Sequence, residues 1–123
     1  MKLRIKDNSI RLRLTKSEVA ELAEKGRFES VINFGTDGKM TYAISESATD
    51  TIDVRYEANK IEVRIPKKEL DHWTNTDNIS LQASKKIEND EDLKILIEKD
   101  FACLTEREGE DESDAYPNPN LTC

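Results

Sequence analysis

Two stretches of the chain, residues 2–14 and 52–65, alternate apolar and charged residues with a period of two, and this pattern constrains the fold more than any other feature. Such alternation is typical of strands buried on one face only, because successive side chains of a strand point to opposite faces. Each stretch is interrupted once by two residues that suit a tight turn, Asp7-Asn8 and Ala58-Asn59. Each stretch therefore predicts a β-hairpin.

The apolar residues also determine the register of both hairpins. A two-residue loop at Asp7-Asn8 sets Leu3 opposite Leu12 and Ile5 opposite Ile10, whereas a slip by one residue would set each against a charge. In the later hairpin the same rule gives three apolar pairs: Ile52 with Ile65, Val54 with Val63, and Tyr56 with Ile61.

Two short helices are predicted from their end signals. Thr15 and Glu18 have the spacing of a capping box, and Gly26 is placed to end the helix that they begin. Pro66 suits the first turn of a second helix, which runs through Trp73.

The remaining apolar segments predict further strands and an α+β fold. A hairpin turns at residues 35–38, and strands at 79–87 and 93–101 form the last pair, the second of them apolar enough for the centre of the core. We expect about eight mainly antiparallel strands in hairpins, arranged as a meander or partly closed barrel, with two short helices. No internal repeat is evident. Residues 1–104 are predicted to form one domain, followed by an acidic, Pro-containing tail at 105–123 that can dock on it.

Charge is divided unevenly along the chain. The net charge is −7, but residues 1–70 hold 14 Lys and Arg against 12 Asp and Glu, whereas residues 71–123 hold 5 against 14. The acidity is densest at residues 106–114, a kind of run that is usually solvated. This balance argues against a general nucleic-acid binder.

Location is predicted from what the sequence does not contain. No apolar run approaches the roughly 20 residues of a membrane-spanning helix, and the N-terminus has no continuous apolar segment of the signal-peptide kind. The 2 cysteines then suggest a reducing compartment, so we expect a cytoplasmic protein without a membrane partner.

Four segments near the ends of the chain are distinctive: MKLRI at 1–5, NSIRLRLTKSEV at 8–19, EKDFACL at 98–104 and GEDESDAYPNP at 109–119. In these segments the chain resembles a bacterial family of short, uncharacterised proteins of about 120 residues. This resemblance implies no activity. It does imply that the acidic tail belongs to the protein.

The polar side of the first hairpin is the candidate functional site. Its register sets Arg4 opposite Arg11 and Lys2 opposite Arg13, and like charges directly opposite each other disfavour a hairpin. In the later hairpin every charged pair has opposite sign. The first hairpin therefore needs anions from elsewhere.

Two sources of those anions are consistent with the sequence. Carboxylates of neighbouring elements, such as Glu29, Glu62 or the acidic tail, would neutralise the hairpin locally. Alternatively, the three guanidinium groups form a site for an external phosphate or carboxylate: Arg4, Arg11 and Arg13. The tail could also compete with an external anion for that site.

No pattern assigns a catalytic residue, a metal site or a cofactor. The sequence lacks paired zinc ligands, a nucleophile elbow and a phosphate-binding loop. We therefore predict a non-catalytic binding domain, whose partner is an anionic ligand or another protein met at an apolar strand edge. The alternative is a metal- or thiol-dependent enzyme that uses His72, Cys103 and nearby carboxylates. Whether Cys103 and Cys123 are bridged stays open.

Overall fold

The computed structural model describes residues 1–100, in which eight strands and two helices follow one another. The tail predicted at 105–123 lies outside the described residues, as do Cys103 and Cys123. The strands are β1 (Lys2–Lys6), β2 (Ser9–Leu14), β3 (Arg27–Asn33), β4 (Lys39–Ser47), β5 (Asp53–Glu57), β6 (Lys60–Pro66), β7 (Ser80–Lys86) and β8 (Asp92–Lys99). The helices are α1 (Lys16–Lys25) and α2 (Lys67–Asn75). The predicted α+β class is confirmed.

The strands form two four-stranded sheets. Sheet A has the order β1-β2-β8-β7, and sheet B has the order β3-β4-β6-β5. In each sheet two antiparallel hairpins lie side by side, and the two central strands, β2 with β8 and β4 with β6, run parallel. Both hairpins are confirmed with their predicted registers, except that Ile52, predicted opposite Ile65, lies outside β5. The meander is wrong, because the central neighbours come from distant parts of the chain, and within residues 1–100 the two sheets do not join into a barrel.

The order of elements reveals a repeat that the sequence did not make evident. A hairpin, a helix and a second hairpin occur twice, at residues 2–47 and 53–99. Each sheet combines the first hairpin of one unit with the second hairpin of the other. Corresponding backbone bonds join the units, since the Lys94 amide donates to the Asn8 carbonyl (3.1 Å) and the Thr41 amide to the Asn59 carbonyl (3.0 Å). The repeat escapes notice in the sequence because it preserves the apolar pattern while changing the charged residues.

The ends of α1 have the predicted geometry. The Thr15 hydroxyl accepts from the Glu18 amide, and the Glu18 carboxylate accepts from the Thr15 amide, which completes the capping box. Gly26 follows the helix with φ +72°, in the left-handed region that favours glycine. The N-terminal ammonium group of Met1 also donates to the Glu18 carboxylate.

Both sheets and both helices contribute to one apolar core. Its fully buried members include Leu12 and Ile97 of sheet A, Ile44 and Val63 of sheet B, and Trp73 of α2. The apolar strand at the end of the chain, β8, occupies an interior position in sheet A, as its composition predicted. Because alternate residues of these strands point into the core, the residues between them form the outer faces of the sheets.

Two apolar side chains are more exposed than their patterns suggest. Tyr56 lies opposite Ile61 as predicted, but it is 69% exposed because it is close to the end of edge strand β5. Phe34, which precedes the turn predicted at residues 35–38, follows the last residue of β3 and is 60% exposed.

Candidate functional site

The first hairpin presents its charged residues on the outer face of sheet A. The strand registers align the outward residues of the four strands in rows. The rows are Lys6-Ser9-Lys94-Ser84, Arg4-Arg11-Leu96-Gln82 and Lys2-Arg13-Glu98-Ser80. We call these twelve residues the sheet A face.

The sheet A face has a large excess of positive charge. Six of its residues are Lys or Arg, and only Glu98 is acidic. Asp100, which follows β8, adds a second carboxylate at one end, 3.6 Å from the Lys2 ammonium and 3.9 Å from the Arg13 guanidinium. The balance is still four positive charges.

The corresponding face of sheet B is neutral. Its rows are Glu57-Lys60-Thr41-Val31, Arg55-Glu62-Ala43-Glu29 and Asp53-Arg64-Ser45-Arg27, which contain four basic and four acidic residues. The two faces are built by the same repeated unit with the same topology. The basic charge of sheet A is therefore not a requirement of the architecture.

Glu98 lies between two of the three predicted site residues. One oxygen of its carboxylate accepts from Nε of Arg11 at 2.6 Å and from Nη2 of Arg13 at 2.7 Å. A carboxylate of a neighbouring strand thus neutralises part of the positive charge of the first hairpin, which was the first of the two sources of anions considered from the sequence. The residues suggested for this role, Glu29 and Glu62, lie on the sheet B face instead. Glu98 was missed because only the parallel pairing of β2 with β8 brings it beside Arg11 and Arg13.

The other predicted residue, Arg4, is placed differently. It lies directly opposite Arg11 and is exposed. The side chains of Arg4, Lys6 and Lys94 form no ion pair or hydrogen bond with any other residue in the range 1–100. Within the described part of the chain, no carboxylate neutralises these three cations.

A shallow groove crosses the sheet A face. Its volume is about 620 Å³, and the side chains along it are those of Ser9, Arg11, Gln82, Ser84, Lys94 and Leu96. It combines two cations with hydroxyl and amide donors, which are the groups that hydrogen-bond phosphate and carboxylate oxygens.

The residues named for the enzyme alternative are not brought together within the described part of the chain. His72 is exposed on α2, and Cys103 lies outside the described residues. Across residues 1–100, no group of three His, Cys, Asp or Glu side chains is placed to hold a metal ion. Neither helix has the length and apolar character needed to cross a membrane.

On the sheet B face, Glu62 pairs with two arginines. The Glu62 carboxylate accepts from Nη1 of Arg27 (2.7 Å), Nη2 of Arg64 (3.2 Å) and the Ser45 hydroxyl (3.2 Å). The hydrogen bond from Arg27 is the main reason that the pKa of Glu62 lies below its ordinary value, although burial opposes this shift. The predicted pairing of Glu62 with Arg55 is correct in register, but Arg27 and Arg64 make the contacts.

We expect Glu62 to contribute to the acid sensitivity of the fold. Because its pKa is lowered in the folded state, its stabilisation is present above the unfolded-state pKa and is lost as pH falls through the folded-state pKa. Glu62→Gln should lower the free energy of unfolding by about 1–2 kcal/mol at neutral pH and by much less at about pH 3. Urea denaturation across this pH range measures both effects.

The matched control is Glu57→Gln, which changes an exposed carboxylate of the same face that has no ion pair within residues 1–100. Its unfolding free energy should follow that of the wild type at every pH. An unchanged pH dependence in Glu62→Gln would contradict the assigned role of Glu62.

Comparison with known proteins identifies the family of this chain. No curated protein and no solved structure matches it. A model described as a family of unknown function (DUF7009) matches residues 1–120, which is nearly the whole of the 123-residue chain. The resemblance seen at both ends of the sequence is thereby confirmed: the chain belongs to this family of unknown function.

Proposed function

We propose that this protein is a non-catalytic binding domain that recognises an anionic partner through the sheet A face. The observation that carries the proposal is the difference between the two faces of one repeated architecture. Sheet B balances its charges within its own face, whereas sheet A retains an excess of four cations. A charge excess of this kind attracts anions and accelerates their binding.

The arrangement of donors favours phosphate or carboxylate groups as ligands. Glu98 holds the guanidinium groups of Arg11 and Arg13 side by side, which fixes the orientation of both forks. Arg4 extends this cationic row to the edge of the sheet, and Lys94 lies on the other side of Arg11 along the groove. An anion in the groove would therefore meet charged donors from two strands, β2 and β8, and Arg4 of β1 lies directly opposite Arg11.

Nucleic acid fits this surface less well than a small or peptidic anion. The twelve residues of the sheet A face include no aromatic side chain on which a base could stack. The net charge of −7 also opposes a polyanion as large as nucleic acid. A bacterial cytoplasmic setting is part of the proposal.

We expect removal of two exposed cations to weaken anion binding. The variant Arg4→Gln/Lys94→Gln should bind inorganic tripolyphosphate about tenfold more weakly than the wild type at low ionic strength. Calorimetric titration measures the affinity. The physical reason is that both side chains are exposed and have no carboxylate partner within residues 1–100.

The matched control is Arg55→Gln/Lys60→Gln. Arg55 occupies the same position in the second repeat unit as Arg4 in the first, and both control residues lie on the neutral face. The control should bind within twofold of the wild type. Equal losses of tripolyphosphate affinity in the two variants would show that the net charge of the protein alone determines binding. The proposed site would then be wrong.

Removing the carboxylate that occupies the two inner arginines should strengthen anion binding. Glu98→Gln removes the carboxylate charge that accepts from Arg11 and Arg13, so we expect tripolyphosphate affinity to rise roughly threefold to tenfold. Unfolding should become easier by about 1–2 kcal/mol, because the adjacent guanidinium groups then repel each other. Titration and urea denaturation of the same sample measure the two effects.

Asp92→Asn is the control for the loss of one negative charge anywhere on the protein. Asp92 lies on the same strand as Glu98 but pairs with Lys86 at the opposite end. Affinity gains of the same size in both variants would contradict a specific role of Glu98.

A second candidate function is association with another protein through β3, an edge strand of sheet B that has no further strand beside it within residues 1–100. Val31, Ile32 and Phe34 are exposed by 54%, 38% and 60% along this edge. On the corresponding edge strand β7, the equivalent of Ile32 is Lys85, whose ammonium donates to the Val54 carbonyl at 2.9 Å. A lysine protects an edge from pairing with another chain, whereas exposed apolar residues favour such pairing.

We expect the β3 edge to mediate self-association if it is functional. The wild type should form dimers with rising concentration, and Val31→Lys/Phe34→Ser should remain monomeric by native mass spectrometry. Tyr56→Ser, which removes an equally exposed apolar side chain elsewhere, should leave the dimer unchanged. A wild type that stays monomeric at high concentration would contradict pairing of this edge with a second copy.

A further inference from the structure

Strand β1 is an edge strand whose outward side chains all carry positive charge. Within residues 1–100 it pairs only with β2, and its residues on the sheet A face are Lys2, Arg4 and Lys6. Among the four edge strands of the described sheets, only β1 has a cation at every outward position. Charge therefore distinguishes the β1 edge from the other three.

The backbone of β1 directs hydrogen-bonding groups away from β2. Because Lys6 and Ser9 close a two-residue hairpin, they exchange both backbone hydrogen bonds, and so does every second pair along the ladder. The amide and carbonyl groups of the residues between these pairs, Leu3 and Ile5, therefore point to the other side of the strand. Ile5 is 61% exposed, so a further strand can reach the β1 edge at this residue.

The equivalent edge strand of the second repeat unit, β5, is protected at the corresponding point. Val54 occupies the position of Leu3, and its carbonyl accepts from the Lys85 ammonium at 2.9 Å. The same ammonium lies 2.9 Å from the Asp53 carboxylate. In the first unit the residue equivalent to Lys85 is Ile32, whose side chain has no donor. The lysine that protects β5 from a further strand thus has no counterpart beside β1 within residues 1–100.

We propose that the β1 edge binds an extended segment of a partner protein in which acidic and apolar residues alternate. Such a segment adds a strand to sheet A, with backbone hydrogen bonds for affinity and side chains for specificity. Its acidic residues would lie beside Arg4 and Lys6, and the apolar residue between them would cover Ile5. Lys2 already has a carboxylate beside it, that of Asp100 at 3.6 Å. The inference rests on the proposed function and deepens it, because it names the anionic partner met by Arg4.

The charge of β1 argues against a second copy of this strand as the partner. An antiparallel pair of two β1 strands centred on Arg4 would place Arg4 opposite Arg4 and Lys2 opposite Lys6. Like charges directly opposite each other disfavour pairing, and basic residues on an edge strand protect it from self-association. The same cations attract an acidic strand, so the charge pattern selects one kind of partner and rejects the other.

Titration of the full chain with two synthetic peptides tests the predicted pattern. One is a capped hexapeptide that alternates glutamate and valine, and the other has the same composition with the three glutamates in one block. Both peptides carry the same charge, so attraction to the cationic face alone would bind them equally. We expect the alternating peptide to bind about tenfold more tightly at low ionic strength. Equal affinities, or no binding of either peptide, would overturn the proposal.

Two N-methylated forms of the alternating peptide test the backbone contact without changing the protein. In an added strand, the amides of alternate residues face β1, and the others face away from it. Methylation of the valine nitrogens removes one set of donors, and methylation of the glutamate nitrogens removes the other. One form should bind about tenfold more weakly than the other, and the valine form is the weaker if the added strand is antiparallel. Equal affinities of the two forms would contradict an added strand.

A proline substitution tests the β1 side of the contact. Ile5→Pro removes an outward amide and keeps the ladder with β2, because proline is tolerated where the N–H of an edge strand faces solvent. It should bind the alternating peptide about tenfold more weakly than the wild type, and tripolyphosphate within about twofold. Tyr56→Pro, the same change at the equivalent position of β5, should bind both probes as the wild type does.

Equal losses of peptide affinity in Ile5→Pro and Tyr56→Pro would place the peptide elsewhere and overturn the proposal. Urea denaturation of both variants checks that they fold. If Ile5→Pro does not fold, the N-methylated peptides decide the question, because they are titrated into the wild type.

Tripolyphosphate separates this inference from the anion site in the groove. Pattern-dependent peptide binding that is lost in Ile5→Pro, without any tripolyphosphate binding, would uphold the β1 contact and contradict the groove as the anion site. Tripolyphosphate binding that depends on Arg4 and Lys94, together with equal affinities for the alternating and block peptides, would uphold the proposed function and overturn the β1 contact.

Discussion

The structure depends on two parallel strand pairings, β2 with β8 and β4 with β6. Each hairpin alone buries only one side of a two-stranded ribbon, which is marginal in water. The parallel ladders join hairpins from the two repeat units into four-stranded sheets, and they align Leu12 with Ile97 and Ile44 with Val63 in the core. Because each sheet takes one hairpin from each unit, neither unit can complete a sheet without the other.

The same pairings decide where the charges meet. On sheet A the β2–β8 ladder places Glu98 between Arg11 and Arg13. On sheet B, Glu62 occupies the position that Arg11 has in the first unit, and it accepts from Arg27 across the sheet. On each face, one carboxylate thus accepts hydrogen bonds from two guanidinium groups. Among the described residues, the sheet B face has no net charge and the sheet A face keeps an excess of cations, which is why we propose sheet A as the anion-binding surface.

The internal repeat allows the outer faces of the two sheets to be compared directly. The backbone, the registers and the position of the core are shared by the two units, so a difference between their faces cannot be attributed to folding. Arg4 and Arg55 illustrate this, because they occupy equivalent exposed positions in the two units. Arg4 lies opposite a basic residue, Arg11, whereas Arg55 lies opposite an acidic residue, Glu62. The surroundings of Arg4, and not its own chemistry, make it a candidate ligand for an anion.

The sequence by itself determined the hairpin registers, the capped helix α1 and the self-repelling pair Arg4–Arg11. These features depend on residues close together in the chain, where strand alternation and capping spacing act directly. Only the tertiary structure decided that β2 runs beside β8, that Glu98 neutralises two arginines and that the hairpins repeat. No local pattern specifies which strand edges meet across some 85 residues, because that choice is made by burial of the shared core.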